Sequence, residues 1–353
     1  MMTILITGDN MMKPERFEQA IENEFGRIFQ IRQKKYTFED TGFTIGPETK
    51  IPSGMCFEDP NLKMQYPDCD VSEFYGTPNS LAEEIKDVDI LILHGAALPN
   101  RVLENANRLK YIISLRGGPV NVDIDAVKIR GIQFFNTDGK NAPAVAEFAL
   151  GALLDFERGI SLGSGRLGNS WWWVKGADSY ESHEIAGKRF GFVGYGHIAR
   201  DLRKMLTGFD VETCAYDPYV SDEVFAHDNV QRMSLEELVA VSDYVSLHAR
   251  PTKGAPPLMN KEMIARMQKH AVLINTARGK LLDYQALKDA LNEKKIRGAV
   301  LDVLGDEPFG FYQEMIAMDS TLITPHIAGQ SVETCDRACK MTIGFLHQII
   351  DSL

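Results

Sequence analysis

Long apolar runs are missing from this chain. None approaches the roughly 20 residues that a bilayer-spanning helix needs, so no membrane segment is expected. A basic excess is missing too: 38 Lys and Arg stand against 49 Asp and Glu, a formal net charge of -11. That balance argues against nucleic acid or an anionic membrane as partner, while leaving room for a basic pocket that takes a small anion. Cysteine is scarce. The five form no C-x-x-C pair and have no histidine at zinc-finger spacing, so neither a disulfide framework nor a structural zinc is indicated, and no metal site is expected. Cys335 and Cys339, four apart, read as small buried residues on one helix face. The amino terminus, MMTILITGDN, lacks the charged head and cleavage site of a signal peptide. A reducing cytoplasm is the expected compartment.

What is present is an ordinary globular mixture, 44% hydrophobic and 25% charged, which places the chain among folded proteins rather than disordered ones. At roughly 150 residues per domain, 353 residues suggest about two domains. Thr3 to Thr7 reads as a buried strand stopped by Gly8-Asp9-Asn10, and Pro14 to Phe25 carries apolar residues at helical spacing. Ser80-Leu81-Ala82-Glu83 has the form of a capping box, and Val88 to Leu93 that of a second buried strand. A helix is expected over Arg101 to Arg108 and a strand over Tyr111 to Ser114. The turn-rich Arg116-Gly117-Gly118-Pro119 then reads as a domain crossing. From Asn141-Ala142-Pro143 a long helix is expected to about Arg158. After a loop over Gly163 to Ala186, which holds Trp171, Trp172 and Trp173, strands and helices alternate to about Thr324, the pattern of a helix-covered parallel sheet. Packing or subunit contact is the expected role of the tryptophans. The tail from Ser331 is again helical.

One turn in that alternation carries chemistry. Strand Arg189 to Val193 runs into Gly194-Tyr195-Gly196-His197-Ile198-Ala199 and then an amphipathic helix, which makes a G-x-G-x-x-A turn between strand and helix. Gly194 permits the tight turn, Gly196 lets the backbone approach a pyrophosphate, and Ala199 allows close helix packing, while the helix start offers free N–H groups. The next strand, Val211 to Tyr216, ends in Asp217 and Pro218, where a carboxylate that bonds the adenosine ribose belongs. A carboxylate repels a 2′-phosphate, so NAD is expected over NADP.

Three later segments each follow an apolar strand. They are Ile274-Asn275-Thr276-Ala277-Arg278-Gly279, Leu301-Asp302-Val303-Leu304-Gly305-Asp306-Glu307-Pro308 and Ile323-Thr324-Pro325-His326-Ile327-Ala328-Gly329. Carboxyl ends of parallel strands line the ligand crevice, so Arg278, Glu307 and His326 could converge there although distant in sequence. An arginine can hold a carboxylate bidentately, a histidine can exchange a proton near neutral pH, and a glutamate beside it would stabilise the imidazolium.

With these motifs in this order, the sequence from about Leu109 to Gly329 resembles the D-isomer-specific 2-hydroxyacid dehydrogenase family, whose members include phosphoglycerate, glycerate/hydroxypyruvate, D-lactate and formate dehydrogenases. The resemblance implies Arg278 as substrate clamp, His326 as acid/base and Glu307 as its partner. It implies Asp302 near the nicotinamide carboxamide, and Thr276, Ala277, His248, Ala249 and Arg250 along the cofactor. With Gly194, Gly196, His197, Ile198, Asp217, Pro218, Arg278, His326 and Gly329, these make up the expected cofactor contacts. It also implies an α/β fold of two Rossmann- or flavodoxin-like domains, the NAD-binding domain (119–327) inserted into a discontinuous substrate domain (1–118 and 328–353). A homodimer through the NAD-binding domain is expected, with hinges near Gly117-Gly118 and Ala328-Gly329.

Departures from the family pattern bear on the substrate. The loop after Leu93, where relatives often carry an arginine for phosphorylated substrates, reads His94-Gly95-Ala96 and weakens a phosphoglycerate assignment. Arg116 stands where a glycine is common, before Gly117-Gly118. His94, Gly95, Ala96, Arg116, Gly117, Gly118 and Arg278 are the expected substrate contacts, Arg116 serving either a second anionic end of a sugar-acid-like substrate or an interdomain salt bridge. The expected reaction is hydride transfer between NAD(H) and a D-2-hydroxy acid or 2-keto acid. Two alternatives stay open: an NAD(H)-sensing, corepressor-like binding protein, and an enzyme of phosphoglycerate dehydrogenase type.

Overall fold

The computed structural model describes residues 1–36, 71, 74–167, 181–252, 254–305 and 309–353. Contacts divide the chain into two units. Among the described residues the first comprises 1–36, 71, 74–141 and 330–353, and the second 142–167, 181–252, 254–305 and 309–329. One domain is therefore inserted into another. The insertion does not begin after Gly118, however, but between Asn141 and Ala142, and it ends between Gly329 and Gln330. Pro119 turns the chain back onto the first sheet instead of out of it. Val122 bridges to Leu98, Asp123 caps the short helix Ile124–Ile129 by accepting from Ala126 N at 2.9 Å, and strand Gln133–Asn136 then pairs with Tyr111–Ser114. Gly117-Gly118 is thus an internal turn of the first unit, its Gly117 carbonyl accepting from Asn136 Nδ2 at 3.0 Å.

The first unit holds a parallel five-stranded sheet, β1 (Met2–Gly8), β2 (Phe29–Lys35), β3 (Ile90–Leu93), β4 (Tyr111–Ser114) and β5 (Gln133–Asn136), in the order β2-β1-β3-β4-β5. This is the flavodoxin-like order, with its topological switch point between β1 and β3. Central strands buried on both faces, such as Ile90–Leu93, read as unbroken apolar runs because helices or loops cover both sides. Helices Pro14–Phe25 and Val332–Asp351 pack on the same core, where Cys335 and Cys339 are buried with Phe17, Ile21 and Ile113. The capping box expected at Ser80 does not form: 78–87 is a series of turns, and Ser80 Oγ is buried without a hydrogen-bond partner. The helix expected over 101–108 shrinks to Asn100–Leu103, because Asn105 turns its side chain back onto the Arg101 carbonyl.

The second unit holds a parallel seven-stranded sheet: β6 (Arg189–Val193), β7 (Glu212–Tyr216), β8 (Gln231–Arg232), β9 (Tyr244–Leu247), β10 (Val272–Asn275), β11 (Gly298–Leu301) and β12 (Thr321–Ile323), in the order β12-β11-β10-β9-β6-β7-β8. Its switch point lies between β6 and β9. Helix Ala142–Arg158 packs on helix His197–Leu206. It also sends Phe156 onto Gly298, where an added Cβ would lie 2.2 Å from the ring. Buried Glu157 pairs with Arg297 beside it, so the helix is tied to β11 by charge as well as by apolar contact. The first part of the expected loop, 163–167, belongs to the helix Ile160–Leu167, and the three tryptophans lie outside the described residues. No helix among the described residues is long and apolar enough to cross a membrane.

Candidate active site

The G-x-G-x-x-A turn sits at the switch point of the second sheet. Gly194 has φ +93, and a Cβ there would stand 2.5 Å from Ala249 N and 2.7 Å from the His248 carbonyl carbon, so the β6 and β9 ends touch backbone to backbone. Only glycine fits. Gly196 differs: an added Cβ would meet no atom within 4 Å, and the helix it begins, His197–Leu206, has no side-chain cap. Exposed backbone N–H groups beside open space form a cradle suited to a pyrophosphate, with His197 at the surface and Ile198 half-buried behind it. Tyr195 anchors the turn from below. Its hydroxyl donates to Asp228 at 3.1 Å, which also receives Arg200 Nε at 2.7 Å. The Arg200 hydrogen bond holds the Asp228 carboxyl far below the usual carboxylate range.

Asp217 is oriented from two sides, accepting from Tyr195 N and from Tyr219 N at 2.8 Å each. A cavity of about 410 Å³ adjoins it, lined by Tyr216, Pro218, Arg232, Met233, Ser234 and Glu237. Arg232 escaped the sequence reading because it enters from β8, fifteen positions downstream. Its guanidinium pairs with Asp222 and donates to the Asp217 carbonyl at 3.3 Å. At the neighbouring strand ends, two buried polar atoms lack hydrogen-bond partners among the described residues: Thr276 Oγ1 and His248 Nδ1. The other His248 nitrogen lies 2.9 Å from Ser246 Oγ, and burial of the ring pushes the pKa down to about 3, which keeps it neutral. The cradle, the oriented acid and these unsatisfied atoms fit a dinucleotide laid across the sheet's carboxyl edge.

Further along the same edge, Asn275 shapes the turn that carries Arg278, accepting from Ala277 N and donating to the Arg278 carbonyl, both at 3.1 Å. Arg278 is half-buried, and its Nη1 donates to the Ala277 carbonyl at 2.8 Å. After β11, Asp302 is 1% exposed. It accepts from Thr324 Oγ1 at 2.6 Å, Ile327 N at 2.9 Å and Ala328 N at 2.8 Å. Three donors from one segment bracket His326, which has φ +57, a conformation rare for a residue with a side chain. Asp302 therefore works as the clamp of the His326 turn, a role invisible in sequence because its partners lie 22 to 26 positions away. Gly329 closes the unit. Glu307 lies outside the described residues.

The expected substrate contacts of the first unit share the carboxyl edge of its sheet. His94 follows β3 and is buried, its Nε2 3.2 Å from Asp9 Oδ2 after β1. Burial lowers the His94 pKa against the opposing pull of Asp9, while bonds to His94, Met11 N and Met12 N hold Asp9 well below the usual carboxylate range despite burial. Gly95, at φ +77, packs on the Tyr75 ring, and the Ala96 carbonyl accepts from Asn121 Nδ2 at 2.7 Å. Arg116 follows β4, and Gly117 lies against Asp138. Asp9 was passed over in sequence as a turn residue, although it follows its strand as His94 follows the next. Lys140 was passed over as well.

A doubly wound parallel sheet with a glycine turn and a ribose-type acid at its switch point defines a dinucleotide-binding α/β protein. Residues 150–328 match the sequence profile described as "D-isomer specific 2-hydroxyacid dehydrogenase, NAD binding domain". The chain is 33% identical over 264 residues to a D-3-phosphoglycerate dehydrogenase of Methanocaldococcus jannaschii, covering 74% of this chain and 49% of that protein. It is 30% identical over 275 residues to a hydroxypyruvate reductase of Thermotoga maritima, covering 77% of this chain and 88% of that one. It spans about half the length of the first relative. The apo-structure of D-lactate dehydrogenase from Escherichia coli superposes with a TM-score of 0.74 at 22% identity, covering 99% and 98% of the two chains, a likeness of fold. The chain belongs to the D-isomer specific 2-hydroxyacid dehydrogenase family, and its second unit is that family's NAD-binding domain.

Proposed function

We propose that this protein is an NAD-dependent oxidoreductase that interconverts a D-2-hydroxy acid and its 2-keto acid, possession of a sugar-acid-like or otherwise polar side chain being the expected mark of its substrate. NAD(H), when bound, supplies or accepts the hydride at C2. Gly194 and Gly196 bring backbone N–H groups to the pyrophosphate, and Asp217 accepts from the ribose hydroxyls. Thr276 Oγ1 and His248 lie where buried polar atoms still need partners. Arg278 holds the substrate carboxylate and polarises the C2 carbonyl. In reduction, His326 gives its proton to the C2 oxygen, and in oxidation it takes that proton back. Glu307 is assigned to keep the imidazole charged and oriented.

The observation that carries this reading is the His326 turn: a histidine held at φ +57 by a buried carboxylate that spends three hydrogen bonds on its neighbours. Such a constraint costs stability and is kept where a proton must be delivered to one place. His326→Ala is expected to lower kcat by about 10²- to 10⁴-fold on an accepted 2-keto acid, with NADH affinity by fluorescence titration unchanged within threefold. Wild-type turnover in that variant refutes the mechanism. We also read the protein as a cytoplasmic homodimer joined through its second unit, supported by the exposed Ile160 on the helix that follows Arg158. A monomer in sedimentation velocity would contradict it.

A further inference from the structure

The first unit buries a cation that forms no ion pair among the described residues. Lys140 is 7% exposed, and its Nζ has no hydrogen-bond or ion-pair partner among the described residues. Its surroundings add positive charge. Arg116 and Arg337 both act on it electrostatically, opposed by Cys335 and Asp9, and Arg337 Nε donates to Lys140's own carbonyl at 2.6 Å, which holds that turn in place. Asp9, the carboxylate that acts on it, is already committed. One oxygen accepts from Met11 N and Met12 N at 2.8 and 2.7 Å, and the other faces His94. His94, kept neutral by burial, brings no compensating charge and leaves Nδ1 buried without a partner.

These groups follow four successive strands of one sheet. Asp9 comes after β1, His94 after β3, Arg116 after β4 and Lys140 after β5, so they gather at the carboxyl edge, next to the β1/β3 switch point where α/β sheets take ligands. A buried ammonium with no ion-pair partner is costly, and an anionic ligand at this place would complete the pair.

We propose that Lys140, with Arg116, forms a subsite in the first unit for an anionic group, a carboxylate or a phosphate, carried by the ligand in addition to its 2-hydroxy or 2-keto acid head. Lys140 supplies up to three N–H donors to that group and Arg116 a planar fork. His94 Nδ1 accepts from a hydroxyl nearby. The substrate class that follows, a 2-keto or 2-hydroxy acid with a second acid at its far end, rests on the hydride-transfer reading. The anion site itself does not.

The experiment has two arms that fail separately. In the first, the full chain without cofactor is titrated by calorimetry with succinate and with inorganic phosphate, alongside K140M and K140R. Binding of either anion to the parent, weakened at least tenfold in K140M and partly restored in K140R, is expected, and the tighter of the two identifies the acid. Absence of binding for both, or equal binding in K140M, overturns the subsite. In the second arm, NADH oxidation is followed with 2-oxoglutarate, 3-phosphohydroxypyruvate and the singly charged 2-oxopentanoate. The ratio of kcat/KM for the better doubly acidic substrate to that for 2-oxopentanoate is expected to fall at least tenfold in K140M. A purely structural lysine would lower both and leave the ratio unchanged, which refutes the proposal. Turnover of none of the three, with anion binding intact, counts against the hydride-transfer reading and leaves the subsite standing.

Discussion

Burying Lys140 has a thermodynamic cost that can be read directly. Burial, reinforced by Arg116, pulls its pKa from the ordinary 10.5 down to about 8. At about 1.4 kcal/mol per tenfold change in the protonation equilibrium, holding the proton in the folded state costs about 3 kcal/mol at neutral pH. Methionine has similar length and no charge, so Lys140→Met is expected to stabilise the first unit by up to about 3 kcal/mol at pH 7 in a buffer free of phosphate and carboxylates. For a unit of roughly 150 residues that is on the order of 6 to 12 °C in its Tm, well within reach of scanning calorimetry at matched scan rates.

The pH dependence separates this cause from simple packing. Between pH about 8 and 10.5 the unfolded chain still binds the lysine proton that the folded chain has released. In that window the parent therefore gains stability as pH rises, relative to a chain without the group. The advantage of K140M should be full below pH 8, shrink across the window and vanish near pH 10.5. Succinate at a hundred times its Kd should narrow the same gap at pH 7, since it stabilises the parent by about 2.7 kcal/mol and a variant that binds it tenfold more weakly by only about 1.4 kcal/mol. Equal stability at pH 7, or an advantage that persists unchanged to pH 10.5, refutes the argument that an unpaired charge is buried there.

Gly194→Ala and Gly196→Ala should part company. The first forces a Cβ into the Ala249 and His248 backbone at φ +93 and is expected to destabilise the second unit by several kcal/mol, roughly 3 or more. The second meets open space and should change Tm by less than 2 °C, yet weaken NADH binding at least tenfold by fluorescence titration. Equal NADH affinity in Gly196→Ala would show that the cradle does not hold the pyrophosphate. Asp302→Asn keeps one acceptor oxygen and turns an amide NH₂ toward donors the second oxygen used to accept from. It is expected to cost about 1 to 3 kcal/mol and to lower kcat at least tenfold with NADH affinity held within threefold, and an unchanged kcat would mean that the His326 turn needs no clamp.

Much of the fold was legible because its strands are buried on both faces. Tyr111–Ser114 and Val272–Asn275 contain runs that water would not leave exposed, and turn residues bound them. The helix Pro14–Phe25 was legible from its apolar spacing, with Phe17 and Ile21 facing the core. The domain crossing was not. Arg116-Gly117-Gly118-Pro119 has the composition of a linker, and only a pairing partner that lies later in the chain, β5 on β4, reveals it as a turn inside the first sheet. Local chemistry states that the chain turns. It does not state what the chain meets after turning.

The sites divide along the same line. Gly194, Gly196 and Asp217 were legible because a pyrophosphate and a ribose are read by one strand, one turn and the strand after it, so the signal is contiguous. Asp302 and Lys140 act through partners that arrive from other strands, and nothing in their own neighbourhoods distinguishes a clamp or an unpaired cation from a surface charge. Yet Asp302 obeys a rule available from sequence: in each sheet, polar residues within a few positions of a strand's carboxyl end face the ligand side. Asp9, His94 and Arg116 satisfy it in the first unit, as His248, Arg278, Asp302 and His326 do in the second. Lys140 stands four positions past β5, a strand that is only partly buried, and its place beside Arg116 comes from the fold alone.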